Sequence, residues 1–333
     1  MEPMKIGQRL REWREIVATT PVKEDPGVLG GREAEQFLHT YVQSHFKFKG
    51  ANLFSNKRVP AGYRRREIDL IVVTAKQIHI IEVKNWSGKL QLLNGKWVQT
   101  NRGNETIEHP DLVADHQEKS AVLIDYLVRE GISLDRRLQE KFLSNKVIFM
   151  NPKLKITTRA ISDHPDVLLL HRLNSYLDQQ RFHQYGERLL ASLIQWCLDT
   201  ESAEVVVEGL FGNLTSNKVA SVCAALDRLA TWDALHYLGT RVETGDLIRL
   251  SIGGTTISRD RLPPRSRIQL HWTRHRMLGL IKAITGLGRL GHVDIPGVGA
   301  LHLTGSDSAF FHKAGEPSPV QIGLMGIECI SIG

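Results

Sequence analysis

The hydrophobic pattern of this 333-residue chain changes period along its length, and each change marks an element. From Gln8 to Val17, Leu10, Trp13, Ile16 and Val17 recur at helical spacing with Arg and Glu between them. This predicts an amphipathic helix packing on the main domain. Pro21 to Gly31 is rich in Pro and Gly and reads as a linker. Ala34, Phe37, Leu38, Tyr41 and Val42 then predict a helix from Arg32 to Phe46. Asn52 to Pro60 reads as a strand, followed by two apolar runs, Glu67 to Val73 and Ile78 to Val83, which Ala75-Lys76-Gln77 joins as a hairpin. Asn94-Gly95 turns a second hairpin from Gly88–Leu93 into Lys96–Thr100, and Asn101–Glu108 is polar enough for a surface loop. Pro110 opens a long helix to Arg129. Strands at Lys146–Met150 and Asp166–His171 and helices at Leu173–Phe182 and Glu187–Leu198 follow.

The central hairpin carries charges that packing does not explain. Carboxylates are rarely buried unless paired or metal-bound, yet Asp69 and Glu82 each lie inside an apolar strand. Glu82 and Lys84, two apart, share one strand face, and folding the hairpin brings Asp69 beside Glu82. Two hard oxygen ligands next to an ammonium suit metal-assisted phosphodiester cleavage: the ion polarises the phosphoryl oxygen and acidifies a water, and the Lys orients that water or stabilises charge. A bare Glu-x-Lys fits equally well a structural ion pair on a solvated strand.

The flanks separate these readings. Gly31-Arg32-Glu33-Ala34-Glu35, then Ile68-Asp69-Leu70-Ile71-Val72-Val73, then Ile81-Glu82-Val83-Lys84-Asn85-Trp86-Ser87-Gly88, resemble the nuclease-related domain (NERD) family of the PD-(D/E)XK restriction-endonuclease-like superfamily over about residues 30–150. Ala34 stands where that family usually has Gly. The resemblance implies an α/β fold, a restriction-endonuclease-like mixed sheet flanked by helices, and a catalytic set of Asp69, Glu82, Lys84, Glu35 and Gln117. Asp69, Glu82 and the Val83 carbonyl would hold Mg²⁺ or Mn²⁺. Gln117 would orient the water or the Lys, with His116 a weaker candidate. A carboxylate in a first helical turn is also stabilised by the helix dipole, which would account for Glu33 and Glu35 without any metal.

After residue 200 the pattern shifts to a helix at Val219–Leu229 and then short apolar runs punctuated by Gly and Pro. These runs, at His236–Val242, Leu247–Ile252, Ile268–Trp272, Leu278–Ile284, Val298–Leu303 and Val320–Ile327, predict a β-rich barrel or sandwich. The organisation expected is a helical arm and linker (1–30), a nuclease domain (31–200) and a β-rich accessory domain (201–333). Gly286-Leu287-Gly288-Arg289-Leu290-Gly291 matches a dinucleotide fingerprint, but turn and strand residues follow it where a helix is needed. His271 and His275 read as surface histidines. Cys197, Cys223 and Cys329 are too scattered for a zinc knuckle or a disulfide frame and fit a reducing compartment.

The net charge of +7 suits a polyanionic partner, and most of the excess falls in 31–200. Arg64, Arg65 and Arg66, beside Tyr63 and just before the Asp69 strand, are candidates for phosphate contact as well as for an ordinary solvated face. The Arg259–Arg276 stretch with Trp272 admits the same two readings. Trp86 and Trp97 read as core more readily than as base-stacking platforms. No stretch is long enough to span a bilayer and no signal core is present, so a cytoplasmic protein without membrane contact is expected. The expected activity is metal-dependent hydrolysis of phosphodiester bonds in DNA, with RNA as the other candidate; a catalytically silent nucleic-acid-binding or assembly module is the alternative. The C-terminal region would serve a protein partner or a homo-oligomer.

Overall fold

The computed structural model describes residues 6–46, 51–62, 64–132, 142–178, 214 and 216–333. The chain divides into two compact units, Gly27–Ala230 and Met1–Pro26 with Thr231–Gly333. The sequence places these divisions instead at 30/31 and 200/201. The helix expected at Glu187–Leu198 and the boundary after it lie outside the described residues.

Helix α1 (Ile6–Ala18) belongs to the second unit. The first holds α2 (Pro26–Phe46), β1 (Asn52–Ala61), β2 (Arg64–Val73), β3 (Ile78–Lys84), β4 (Gly88–Leu93), β5 (Lys96–Thr100), β6 (Thr106–His109), α3 (Leu112–Arg129), β7 (Leu143–Phe149), β8 (Leu154–Ile156), α4 (Arg159–Ser162), β9 (Val167–Leu169), α5 (residues 170–178) and α6 (Ser216–Arg228). A five-stranded mixed sheet runs β1-β2-β3-β7-β9, antiparallel through β3 and parallel beyond it, and a smaller sheet runs β6-β5-β4-β8. This is the mixed α/β layering expected. Helix α2 begins inside the predicted linker: Pro26 takes the first helical position, which its fixed φ favours, and the Gly30 carbonyl accepts a bond from Asn85 Nδ2 at 2.7 Å. Part of the expected loop at 101–108 pairs as β6 with β5.

The β2–β3 turn is held by Thr74, whose Oγ1 accepts from the Lys76 and Gln77 amides at 3.2 and 2.9 Å. Its register, Leu70↔Ile81 to Val73↔Ile78, lets both sheet faces be buried. Ile71, Val73, Ile78 and Ile80 join Leu123 and Leu127 of α3 and Val222 and Leu226 of α6 on one face. Leu70, Val72, Ile81 and Val83 join Leu38 and Val42 of α2 on the other. The alternation breaks at one level. Ile68 packs with Ile71, three residues on, and Phe54 packs with Val59, so both β1 and β2 change parity between these positions. Asn56 and Asp69 stand there, absent from the otherwise continuous pairing of β1 with β2, and Asn56 has φ +52°.

The second unit adds β10 (Asp233–Tyr237), β11 (Val242–Ile252), β12 (Thr255–Ser258), β13 (Arg267–Trp272), α7 (Arg276–Thr285), β14 (Gly291–Ile295), β15 (Gly299–Leu303), β16 (Ser308–Lys313), β17 (Val320–Gly323) and β18 (Ile327–Ser331). One nine-stranded sheet runs β15-β14-β13-β18-β10-β11-β16-β17, with β12 on β11, around a core that includes Leu250, Ile268, Val293, Phe311 and Ile330. Two expectations are corrected. Leu278–Ile284 is helical, its end set by Gly286 at φ +73°, so the Gly-rich run is a helix cap and turn. Helix α1, expected on the main domain, belongs to the second unit and packs on α7: Arg9 donates to the carbonyls of Lys282 (2.7 Å), Gly288 (3.1 Å) and Gly286 (3.3 Å), and the buried Glu12 accepts from Gly305 N at 2.8 Å.

Gly88 opens β4 at φ +90°, where a Cβ would sit 2.0 Å from the Thr100 carbonyl oxygen, whereas Gly95, at φ +76°, has open space. Gly88→Ala should therefore destabilise by more than about 2 kcal/mol, and Gly95→Ala by only about 1 kcal/mol. Urea unfolding midpoints of the two variants measure this, and equal midpoints would contradict the close approach.

Candidate functional site

The irregular level of the sheet is where the sequence-predicted acids meet. Pairing of β2 with β3 stops at Leu70↔Ile81, and beyond it Asp69 Oδ2 accepts the Val83 N–H at 2.7 Å. The side chain thus takes over a backbone amide as the strands part, while β3 continues beside β7 as far as Lys84↔Phe149. Glu82 is buried and both its oxygens are engaged, Oε1 by Lys84 Nζ and Oε2 by Lys119 Nζ, each at 2.7 Å. Glu35, from the first half of α2, reaches the same place: its carboxyl bonds the Asn56 side chain and feels the charges of Glu67, Glu82 and Lys84.

The electrostatics follow from this crowding. Burial pushes the Asp69 carboxyl up to about 8, helped by the charges of Glu82 and Glu35, with the Val83 N–H working in the opposite direction. Burial, then Glu67 and Glu82, raise Glu35. Burial also works to raise Glu82, but Lys84 and Lys119 outweigh it and hold that carboxyl below its usual range. For Lys84, burial disfavours the charge and Glu82 overcomes it, so the ammonium is held above its usual range. The pattern is one carboxylate held ionised between two ammonium groups, with two carboxyls beside it whose pKa values are raised.

Glu35, Asp69, Glu82 and Lys84 are therefore brought together. Gln117 is not: it is exposed on α3 and its Nε2 donates to Asp166 Oδ2 at 3.2 Å. The helix face explains the difference. His116, Ser120, Leu123 and Leu127 point inward, and Gln117 lies about 100° round from His116. His116 uses Nε2 on the Ile80 carbonyl at 2.8 Å. Lys119, on the other flank of that face, is the residue from α3 that touches Glu82, and it also lies 3.9 Å from Asp115 Oδ2. Arg66 is committed to Asp115 (3.3 Å) and Glu118 (2.8 Å), Arg65 is exposed, and Arg64 and Tyr63 have no described side chain. Trp97 is core, as expected, and Trp86 packs half-buried against the same cluster, its ring also stacking on His109 with centroids 3.9 Å apart. Burial and then the Lys84 charge hold His109 below its usual range, and its Nε2 lies 3.2 Å from Gln99 Oε1.

Sequence reasoning missed Lys119, Asn56, Glu67 and His109 as neighbours of the site. For Glu67 a signal existed, since it is two residues from Asp69 on one strand. For Lys119 and Asn56 none did, because one depends on the rotation of a helix and the other on a backbone irregularity. Among the described residues no group of three or more His, Cys, Asp or Glu side chains is spaced to ligate one metal ion. Cys329, buried, and Cys223, half-buried, are free, and Cys197 lies outside the described residues.

Residues 30–150 match the family model described as Nuclease-related domain, so this segment is a nuclease-related domain in a restriction-endonuclease-like fold. No curated protein and no solved structure matches the chain.

Asp69 sets a testable pH dependence. Its folded pKa lies above its unfolded value of 3.8, so its contribution to stability is complete below about pH 4 and is lost as pH rises through about 8. In chelator, the melting temperature of Asp69→Asn should rise relative to wild type as pH is raised from acid to alkaline, because Asn keeps the acceptor without the charge. A difference that does not change with pH would contradict the assignment.

Proposed function

We propose that the chain is a metal-dependent nuclease that hydrolyses phosphodiester bonds, with DNA as its substrate. The observation that carries this reading is the convergence of Glu35, Asp69 and Glu82 with Lys84 where β2 and β3 part, inside a nuclease-related domain.

The donor set is compatible with a small hard cation. It consists of carboxylate oxygens crowded in a buried place, where burial first and the charges of Glu82 and Glu35 second favour a proton on Asp69, and a divalent ion would offset both. Asp69 and Glu82 would hold Mg²⁺ or Mn²⁺, with the Val83 carbonyl as a further oxygen. When bound, such an ion polarises the phosphoryl oxygen and lowers the pKa of a bound water. Lys84, kept charged by Glu82, orients the attacking water and stabilises negative charge on the phosphorus oxygens. Glu35, whose carboxyl burial and then Glu67 and Glu82 hold above its usual range, sets the local charge beside Asp69. Lys119 replaces Gln117 as the contribution of α3: it occupies Glu82 Oε2 until a cation competes for it, and Asp115 gives it a second carboxylate to settle on. Among the described arginine side chains of the cluster Arg65 is exposed, and it would meet a phosphate from solvent.

One observation favours the rival reading of a silent binding module. Both oxygens of Glu82 are satisfied by lysines, as in a purely structural ion-pair network. Cleavage assays on supercoiled, linear and single-stranded DNA with Mg²⁺, Mn²⁺ or chelator decide between them. The nuclease reading expects cleavage that chelator stops and metal restores, with Glu82→Gln and Lys84→Met each reducing the rate by roughly 10²-fold or more while DNA binding persists. Binding without cleavage in any metal would establish the silent module.

Lys119 is tested apart from turnover. Lys119→Met should bind Mn²⁺ more tightly than wild type in calorimetry, because Glu82 is released. Unchanged or weaker binding would remove the competition from the account.

A further inference from the structure

Helix α7 is packed inside out. Its buried residues are Gly279 and Ala283, and Gly279 lies so close to Trp13 of α1 that a Cβ would meet the indole at 2.6 Å. Four of its five large apolar residues face solvent instead, Met277 64% exposed, Leu278 49%, Ile281 52% and Ile284 51%, while Leu280 is half-buried. Leu287, at 74%, follows in a turn between Gly286 and Gly288, both in the left-handed region. On α1, the helix packed against it, Ile6 is exposed as well. Burying the small residues and exposing the large ones reverses the usual arrangement of a surface helix and leaves an apolar face that solvent penalises.

The surroundings say what would cover that face. From Arg274 to Val293, the stretch that carries α7 and its turn, the sequence holds four Lys and Arg and no Asp or Glu. Arg276 and Arg289 are exposed at either end of α7 and its turn, and Arg9 adds its charge at the C-terminal carbonyls. Directional groups are lacking on the outward face. Its hydroxyl, that of Thr285, donates back to the Ile281 carbonyl at 2.7 Å and accepts the Leu287 amide at 3.2 Å. A nucleic acid or a polar protein surface needs hydrogen-bonding partners at intervals across its contact. A second copy would bring the same cationic rim against this one. Hydrocarbon bordered by negative charge needs neither directional partners nor a complementary acid.

We propose that α7 and the Leu287 turn form a peripheral membrane-docking face, which seats Met277, Ile281, Ile284 and Leu287 among the acyl chains of an anionic lipid surface while Arg276 and Arg289 meet the headgroups. Among the described residues no helix is long and apolar enough to cross a membrane, so the contact is lateral, with the helix lying in the interface. This departs from the membrane-free protein expected from sequence and does not depend on the nuclease reading.

The test is co-sedimentation of the full chain with phosphatidylcholine vesicles, with and without added phosphatidylserine. The wild type should partition onto the anionic vesicles at least about tenfold more strongly than onto the neutral ones, and less so as salt is raised. Met277→Asp with Ile281→Asp should abolish partitioning, and Arg276→Glu with Arg289→Glu should reduce it to the neutral-vesicle level. All four positions are exposed, so circular dichroism should show both variants folded like wild type. Wild-type protein that stays in the supernatant with anionic vesicles would overturn the proposal, as would an aspartate variant that partitions unchanged. A wild-type dimer in solution that Ile281→Asp dissociates would also overturn it, by showing that a second copy covers the face.

Discussion

The hydrogen bond from the Val83 amide to Asp69 is the contact on which the site depends. An antiparallel hairpin would ordinarily continue its backbone ladder past Leu70 and Ile81, leaving the side chains at 69 and 82 as neighbours on a sheet surface. Here a carboxylate takes the amide and the strands separate. The opposite strand gives way at the same level, where Asn56 adopts a left-handed conformation and bonds Glu35. The irregularity is thus shared by β1, β2 and β3. It opens the sheet where charged side chains need space, while regular pairing on either side keeps the core closed.

That opening sets the charges. Three carboxyl groups are brought together with little water to separate them, and the protein resolves the conflict unevenly. Glu82 is stabilised as an anion by two lysines, while Asp69 and Glu35 retain protons more readily than usual. On the proposed reading, a divalent cation entering the site would have to displace protons and ammonium groups. The same feature explains why Lys119 belongs to the account as much as Lys84 does.

Much of this was legible in the sequence because it is local. The Ile- and Val-rich runs specify β2 and β3, the spacing of Glu82 and Lys84 puts them on one face, and the order of motifs identifies the domain. What was not legible depends on rotation or on distant contact. Whether Gln117 or Lys119 faces the sheet turns on a helical phase set by His116, Ser120 and Leu123, all buried. The docking of α1 on α7 follows from Arg9 reaching carbonyls more than 270 residues away. The run Leu278–Ile284 read as a strand because it is a short apolar stretch between glycines, which periodicity alone does not separate from a helix. The boundary after α6 was hidden for a related reason: its apolar stripe packs on β1 and β2, and nothing local announces that.

The most direct measurement is anomalous diffraction from a crystal soaked in Mn²⁺. If Asp69 and Glu82 hold the metal, one peak lies between their carboxylates, with Lys119 moved from Glu82 toward Asp115. A soaked crystal with no peak there, and with Lys119 still bonded to Glu82, would contradict that assignment.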